Sequence, residues 1–175
     1  MAASPLAIRQ ATEADALCLG VLGIQVFLAT YARQGVSPLI AREVIGVVGV
    51  EAVAGDLADP SMRHLIAERG EFIVGFAKWT PGARHELLPT DGSTAELNRL
   101  YVQEASTSTG VGKALMRAVE TEAAREGAAT LWLTAWVENK RALAFYPRQG
   151  YTDCGSTPYT YEGVSHENRL FVKTL

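Results

Sequence analysis

The chain has 175 residues, of which 48% are hydrophobic and 20% are charged, and its formal net charge is -3. This length suits one folded domain, residues 1–175, and the composition excludes an intrinsically disordered chain. The mild acidity gives no electrostatic basis for nucleic-acid binding.

Cys18 and Cys154 lie far apart in the sequence, so we expect both to be reduced and buried. The three histidines are isolated from one another and from the cysteines, so we expect no metal site.

The N-terminal residues have neither a basic stretch nor an apolar run of signal-peptide length. We find no stretch that approaches the roughly 18 apolar residues of a membrane span. We therefore expect a cytoplasmic protein without a membrane or nucleic-acid partner.

The first half of the chain is predicted to fold as a strand, two helices and a pair of strands. Thr12 and Asp15 form an imperfect capping box before an apolar helix, and Arg69-Gly70 reads as the turn of a hairpin. Asp56 is expected to be a surface charge. The predicted elements are strand 6–10, helix 16–27, helix 39–54, strand 63–68 and strand 71–79.

The second half begins with a polar loop over residues 81–93. An amphipathic helix follows the next strand, and Gly127 ends it as a C′ residue. Asn139 caps a further helix. The predicted elements are strand 94–102, helix 111–126, strand 130–137, helix 139–146 and strands 151–156 and 169–173. This order predicts an α/β (α+β) fold, with a mixed central sheet of about seven strands and helices on both faces.

A glycine-containing turn, Thr107-Ser-Thr-Gly110-Val-Gly112-Lys113, lies between a strand and the amphipathic helix. Glycines permit tight curvature and close approach of a ligand, and a helix start offers free N–H groups to phosphate. An ordinary helix entry without a ligand is the alternative. A P-loop would need glycine where Thr107 stands, and a dinucleotide fingerprint would need a small residue in place of Leu115. Both nucleotide motifs are therefore excluded.

Three segments in order, residues 96–102, the turn at 110–112 and the run 138–146, resemble the GNAT acetyltransferase superfamily. The likeness is strong from residue 94 onward and weaker over residues 6–79. It implies a single GNAT-like domain that uses acetyl-CoA as its co-substrate.

The resemblance also implies which residues contact acetyl-CoA. Main-chain amides of the turn would hold the pyrophosphate, and one strand would pair with the pantetheine arm. An amide in this region would also polarise the thioester carbonyl. The implied cofactor residues are Leu100, Tyr101, Val102, Thr107, Thr109, Gly110, Val111, Gly112, Lys113, Asn139 and Arg148.

Two positions depart from the family pattern. Thr107 stands where the family usually has Gln or Arg, which implies a weaker or indirect phosphate contact. Pro147 replaces a helix former, and proline disfavours helical geometry at the preceding Tyr146. The tyrosine hydroxyl could therefore be displaced.

By the same resemblance, Tyr146 would be the general acid for the departing thiolate. Glu96 is the candidate general base, with a solvated or ion-paired carboxylate as the alternative. Asn98 is a candidate to orient water or the amine. Tyr31, at the end of the first helix, is a candidate residue of the acceptor pocket or else a packing residue.

We expect an N-acetyltransferase that acts by direct attack of a primary amine in a ternary complex. The acceptor is a small molecule or a peptide, and the second half is similar to bacterial polyamine and small-amine acetyltransferases. The alternative is a catalytically silent acyl-CoA sensor or partner module, which the changes at Thr107 and Pro147 favour. The identity of the acceptor and the oligomeric state, a homodimer included, stay open.

Overall fold

The computed structural model describes residues 4–88 and 93–175. Part of the predicted loop 81–93, residues 89–92, therefore lies outside the described residues. The elements are, in chain order, β1 (Leu6–Gln10), α1 (Ala16–Tyr31), α2 (Pro38–Val48), α3 (Val50–Ala58), β2 (Arg63–Arg69), β3 (Phe72–Pro81), β4 (Thr94–Val102), α4 (Val111–Arg125), β5 (Thr130–Trp136), α5 (Lys140–Arg148), β6 (Thr152–Tyr161) and β7 (Val164–Thr174).

The strands form a seven-stranded sheet in the order β1-β2-β3-β4-β5-β7-β6. β4 and β5 are parallel, whereas β1–β2, β2–β3, β5–β7 and β6–β7 are antiparallel. The predicted α/β fold with a mixed sheet of about seven strands is confirmed.

Two compact units make up the chain. The first comprises Met1–Trp79 and Arg99–Val119, and the second comprises Thr80–Asn98 and Glu120–Leu175. The boundaries fall inside β3, β4 and α4, so each of these elements contributes to both units. A single functional domain stays a prediction.

Helices cover both faces of the first unit's strands. Phe76 of β3 packs with Leu19 and Val26 of α1 and with Ile66 of β2. Adjacent residues of a strand point to opposite faces. Gly75 accordingly faces α4, and a Cβ built on it would lie 3.2 Å from side-chain atoms of Val111 and Leu115.

The helix predicted over residues 39–54 is wrong in one respect, because Gly49 divides it into α2 and α3. Gly49 is extended, with ψ 163°, and a Cβ on it would lie about 2.3 Å from the Ile45 carbonyl oxygen. On α1, a Cβ built on Gly20 would lie 2.7 Å from Val50 Cα, so the backbones of α1 and α3 approach closely. The break therefore places Val50, the first residue of α3, against Gly20 of α1.

The last two strands are longer than predicted. β6 and β7 pair from Thr152↔Val172 to Tyr161↔Val164, with a bulge near Asp153. Glu162 and Gly163 turn the hairpin with φ values of 44° and 80°. Most β6 side chains are exposed, so this strand carries little of the apolar alternation that would reveal it.

Both cysteines are free and exposed, which contradicts their predicted burial. Cys18 lies on a solvent face of α1 beside Leu17 and Val21, which are 64% and 59% exposed. Because α1 is apolar nearly all round, the sequence did not indicate which face is buried.

One helical stretch of the described residues, Glu13–Tyr31, is long and apolar enough to cross a membrane. We did not expect such a stretch from the sequence. Other parts of the protein bury 44% of its apolar stretch. The core helix of a globular protein can have the same length and composition.

Candidate functional site

The glycine turn leads directly into α4. Ser108 and Gly110 adopt φ values of 61° and 91°, which curl the main chain before the helix. Within the described residues, the amides of residues 108–113 donate to no protein acceptor. The first helical hydrogen bond of α4 is donated by the Ala114 amide to the Gly110 carbonyl over 3.0 Å.

The space in front of this turn is open. A Cβ built on Gly110 would meet no atom within 4 Å. Free amides, the positive end of the α4 dipole and open space are together the features expected of an anion-binding site. This geometry fits the pyrophosphate of a nucleotide cofactor, and that assignment stays a prediction, as does the alternative of an ordinary helix entry without a ligand.

Side chains of the turn hold its shape from within. Thr107 Oγ1 donates to the Glu104 carbonyl over 2.8 Å, and Thr109 Oγ1 donates to the Ser106 carbonyl over 2.7 Å. Arg69 Nη2 in turn donates to Thr109 Oγ1 over 3.2 Å, while its Nε is buried without a partner. Sequence reasoning missed Arg69, because this contact joins residues 40 positions apart.

The β4 main chain has an open edge. Its pairing with β5 covers only Thr94 to Glu96, and Glu96 is opposite Trp132. Beyond that point β4 has no β5 partner among the residues described. An unpaired strand edge can accept an extended ligand as an added strand. The half-buried residues Leu100–Val102 lie on this free stretch.

The two polar candidates on the first part of β4 differ in exposure. Glu96 is half-buried, whereas Asn98 is exposed and accepts a hydrogen bond from Thr80 Oγ1 over 2.8 Å. Trp132, opposite Glu96, is 5% exposed and donates from Nε1 to the Ala83 carbonyl over 3.0 Å. The indole is therefore held in place at the position of β5 that is in register with Glu96.

His85 is a titratable group that packs edge-on against Trp132, with ring centroids 5.0 Å apart. Its Nδ1 accepts from the Leu87 amide over 3.2 Å, so Nε2 is the donor to Thr157 Oγ1 over 3.3 Å. Both ring nitrogens therefore have hydrogen-bond partners in this arrangement.

The α5 segment forms as predicted at its start. Asn139 Oδ1 accepts from the Ala142 amide over 3.1 Å, which is an N-cap. Pro147 lies inside the last turn and does not end the helix, which continues to the exposed Arg148. Tyr146 is 9% exposed, and its ring packs against those of Tyr151 and Phe171 at 6.0 and 5.5 Å.

Tyr31 ends α1 in the first unit. Its ring lies 4.6 Å from that of Phe27, and the side chain packs against an apolar cluster that includes Val44 and Val48. Burial, followed by the negative charge of Glu43, raises the pKa of the phenol. The hydroxyl therefore stays neutral at physiological pH.

A buried charge cluster lies in the same unit, and sequence reasoning did not identify it. Lys78 Nζ and Arg99 Nη1 contact the same Asp56 oxygen, Oδ2, at 2.6 and 3.2 Å. Asp56 is therefore not the surface charge we predicted. Next to the cluster, burial and then the charge of Lys78 lower the pKa of His64 to about 4.

Comparisons with known proteins agree with this architecture. Residues 39–151 match the model of the acetyltransferase (GNAT) family. The chain is 30% identical over 99 residues to an IAA acetyltransferase of Azospirillum brasilense and 34% identical over 112 residues to an uncharacterized N-acetyltransferase of Mycobacterium bovis. These alignments cover 57% and 64% of this chain, and the chain spans only 60% and 66% of those relatives' lengths.

A solved structure shares the fold. The PaiA N-acetyltransferase of Thermoplasma acidophilum, crystallised with coenzyme A, superimposes with a TM-score of 0.78 at 18% identity, covering 98% of this chain and 99% of that one. Since the family model spans well over half of the sequence, the chain belongs to the GNAT family of acetyltransferases.

Proposed function

We propose that this protein transfers an acetyl group from acetyl-CoA to a primary amine of a small molecule or peptide, by direct attack in a ternary complex. The observation that carries the proposal is the run of free amides at residues 108–113, placed at the start of a 15-residue helix. A site of this kind binds phosphate without needing a cationic side chain at Thr107. A cytoplasmic location is part of the proposal.

Acetyl-CoA would supply the activated acetyl thioester. The amides of Thr109, Gly110, Val111, Gly112 and Lys113 would hold its pyrophosphate, with Thr107 shaping the turn. The free edge of Leu100, Tyr101 and Val102 would pair with the pantetheine arm. From α5, Asn139 and Arg148 would provide further cofactor contacts.

The chain's own residues then have to manage two protons. An alkyl ammonium has a pKa near 10, so the acceptor needs a base before its nitrogen can attack. Glu96 would take this proton directly or through a water that Asn98 orients, and a positioned base contributes about 10²- to 10⁴-fold to the rate. Tyr146 would hold its hydroxyl proton for the leaving sulfur, and its aromatic neighbours fix the ring. Tyr31 would line the acceptor pocket.

Two measurements test this proposal. Isothermal titration with acetyl-CoA measures binding, and an assay for free thiol with a panel of amines measures turnover. We expect acetyl-CoA to bind in the titration and at least one amine to cause thiol release in the assay. Tight binding without thiol release from any amine would support the alternative of a silent acyl-CoA sensor. An absence of acetyl-CoA binding would contradict both functions.

A further inference from the structure

We propose that Tyr151 is a positioning residue for acetyl transfer, and that Glu120 and Lys173 anchor it so that it holds the ring of Tyr146 in place. The inference rests on the proposed function, in which Tyr146 gives its hydroxyl proton to the departing thiolate. All four residues belong to the second compact unit. The first three lie outside the segments that resemble the GNAT family, so the resemblance assigns them no role.

The end of α5 brings Tyr151 against Tyr146. Gly150 adopts a left-handed φ of 88°, and its amide donates to the Pro147 carbonyl over 3.0 Å. The Tyr151 amide donates to the Tyr146 carbonyl over 3.2 Å. These two hydrogen bonds form a Schellman motif, in which the residue after the glycine commonly packs on the residue whose carbonyl it reaches. The centroids of the two tyrosine rings accordingly lie 6.0 Å apart.

Pro147 makes this contact between side chains more important. The proline lies inside the last turn of α5 and has no N–H group, so this turn lacks the helical hydrogen bond to the Leu143 carbonyl. The main chain therefore fixes Tyr146 less firmly than an uninterrupted helix would. Its ring is held instead by neighbouring aromatic rings, those of Tyr151 at 6.0 Å and of Phe171 on β7 at 5.5 Å.

Tyr151 is in turn held by a polar cluster. Its hydroxyl donates to Glu120 Oε1 of α4 over 3.1 Å, and Lys173 Nζ of β7 contacts Glu120 Oε2 at 2.8 Å. Lys173 also donates to the Gln149 carbonyl over 3.0 Å and lies 5.5 Å from the centre of the Tyr151 ring. Tyr151 is 4% exposed, and burial, followed by the negative charge of Glu120, raises the pKa of its phenol. The hydroxyl therefore keeps its proton and remains the donor.

The cluster fixes Tyr151 from three elements: the end of α5, α4 through Glu120, and β7 through Lys173. A hydrogen bond to a carboxylate is stronger than one between neutral groups, so it restricts the phenol more firmly. A proton donor acts only within hydrogen-bond distance of the atom that it protonates. A small rotation of the Tyr146 ring would therefore take its hydroxyl away from the sulfur. In this role Tyr151 transfers no proton and acts only through Tyr146.

The first test is Tyr151→Phe, which keeps the ring and removes only the hydroxyl. Thiol release is followed in single turnovers, with saturating amounts of the amine that gives the highest rate. We expect the rate constant to fall about 10-fold, because a small misplacement of a reacting group has effects of this size. Titration should show an unchanged affinity for acetyl-CoA. Tyr159→Phe, the same change at a position of β6 that is 38% exposed, is the control and should keep the full rate.

The second test combines Tyr151→Phe with Tyr146→Phe, which removes the proposed acid. If Tyr151 acts through Tyr146, adding Tyr151→Phe to Tyr146→Phe should lower the rate constant by less than about 2-fold, although each single variant is slower than the unmodified protein. A residue that only stabilises the fold would slow both backgrounds by the same factor. Glu120→Gln keeps an oxygen that accepts from the phenol, so it should slow thiol release less than Glu120→Leu does.

Each other outcome counts against the proposal. An unchanged rate in Tyr151→Phe, the same factor in both backgrounds, or equal rates in the two Glu120 variants would overturn it while the acetyltransferase function stands. An unchanged rate in Tyr146→Phe would remove Tyr146 as the acid, and this inference with it. If the unmodified protein releases no thiol with any amine, this inference and the proposed function fail together. Thermal unfolding checks that each variant is folded, and if Tyr151→Phe is not, the Glu120 variants permit the same comparison in both backgrounds.

Discussion

Arg69 at the end of β2 donates from Nη2 to the hydroxyl of Thr109 over 3.2 Å, and so connects the hairpin to the glycine turn. This contact brings a cation to the turn from a strand that is distant in sequence. The family pattern has its polar residue at the position of Thr107, where this chain has only a hydroxyl. Arg69 therefore brings a positive charge close to the part of the turn where Thr107 replaces the family's Gln or Arg.

We expect Arg69→Gln to weaken CoA binding about 3- to 10-fold, with a larger effect at low salt because the lost interaction is between charges. Isothermal titration at two ionic strengths measures this. Arg125→Gln at the other end of α4, where the side chain is 71% exposed, is the control. Equal affinities for the two variants would show that Arg69 has no part in the phosphate site.

Gly110 and Gly127 form a matched pair at the two ends of α4. Their φ values are 91° and 92°, and neither has an atom within 4 Å of a built Cβ. Either glycine changed to Asp should cost about 1–2 kcal/mol of folding free energy through backbone strain. Only Gly110→Asp should abolish CoA binding, because it brings a negative charge to the phosphate amides. Thermal unfolding and titration separate the two effects, and equal CoA affinity in both variants would contradict the assignment of the turn.

Local sequence signals predicted much of this molecule. The strand Thr94–Val102 was predicted with its observed bounds, since an apolar alternating run ends there before a turn. The Asn139 cap and the left-handed conformation of Gly127 could also be predicted from the sequence, because each depends on residues within one helical turn. The glycine turn was recognised for the same reason.

Interactions between distant parts of the chain could not be predicted. Asp56 was expected at the surface, because nothing near it in sequence shows that Lys78 and Arg99 will fold onto it. The contact between Val50 of α3 and Gly20 of α1 likewise joins residues 30 positions apart. The buried face of α1 was equally hidden, since apolar residues surround that helix.

Glu96→Gln should preserve acetyl-CoA affinity and lower turnover by about 10²- to 10⁴-fold, as expected for loss of a general base. The defect should be greatest at low pH, where the acceptor amine is almost wholly protonated. A pH series of kcat/KM measures this, with the exposed Glu86→Gln as control. An unchanged rate in Glu96→Gln would remove Glu96 from the mechanism.

His64 should make the protein less stable in mild acid. Burial lowers its pKa from 6.5 to about 4, so between these values the unfolded chain binds a proton that the native state does not. The free energy of unfolding should therefore fall as the pH drops from 6.5 to 4, by about 3 kcal/mol. Urea unfolding across this range should show a flatter dependence for His64→Gln. The same substitution at the exposed His166 should leave the steeper dependence of stability on pH. Equally steep curves for the two variants would show that His64 does not cause the loss of stability in acid.

Gly20 and Gly55 give opposite expectations for the same substitution. In Gly20→Ala the new methyl would lie 2.7 Å from Val50 Cα, so α1 and α3 must move apart, at a cost of about 1–3 kcal/mol. Gly55 lies within α3 with no atom within 4 Å of a built Cβ, and Gly55→Ala should stabilise the protein by about 0.5–1 kcal/mol through its helix propensity. Chemical denaturation of the two variants measures the difference. Both glycines are helical, so helix propensity favours alanine at each position. A loss of stability at Gly20 with a gain at Gly55 would therefore reflect the close approach of α1 and α3. A gain at both positions would show that α3 does not pack on α1 in this way.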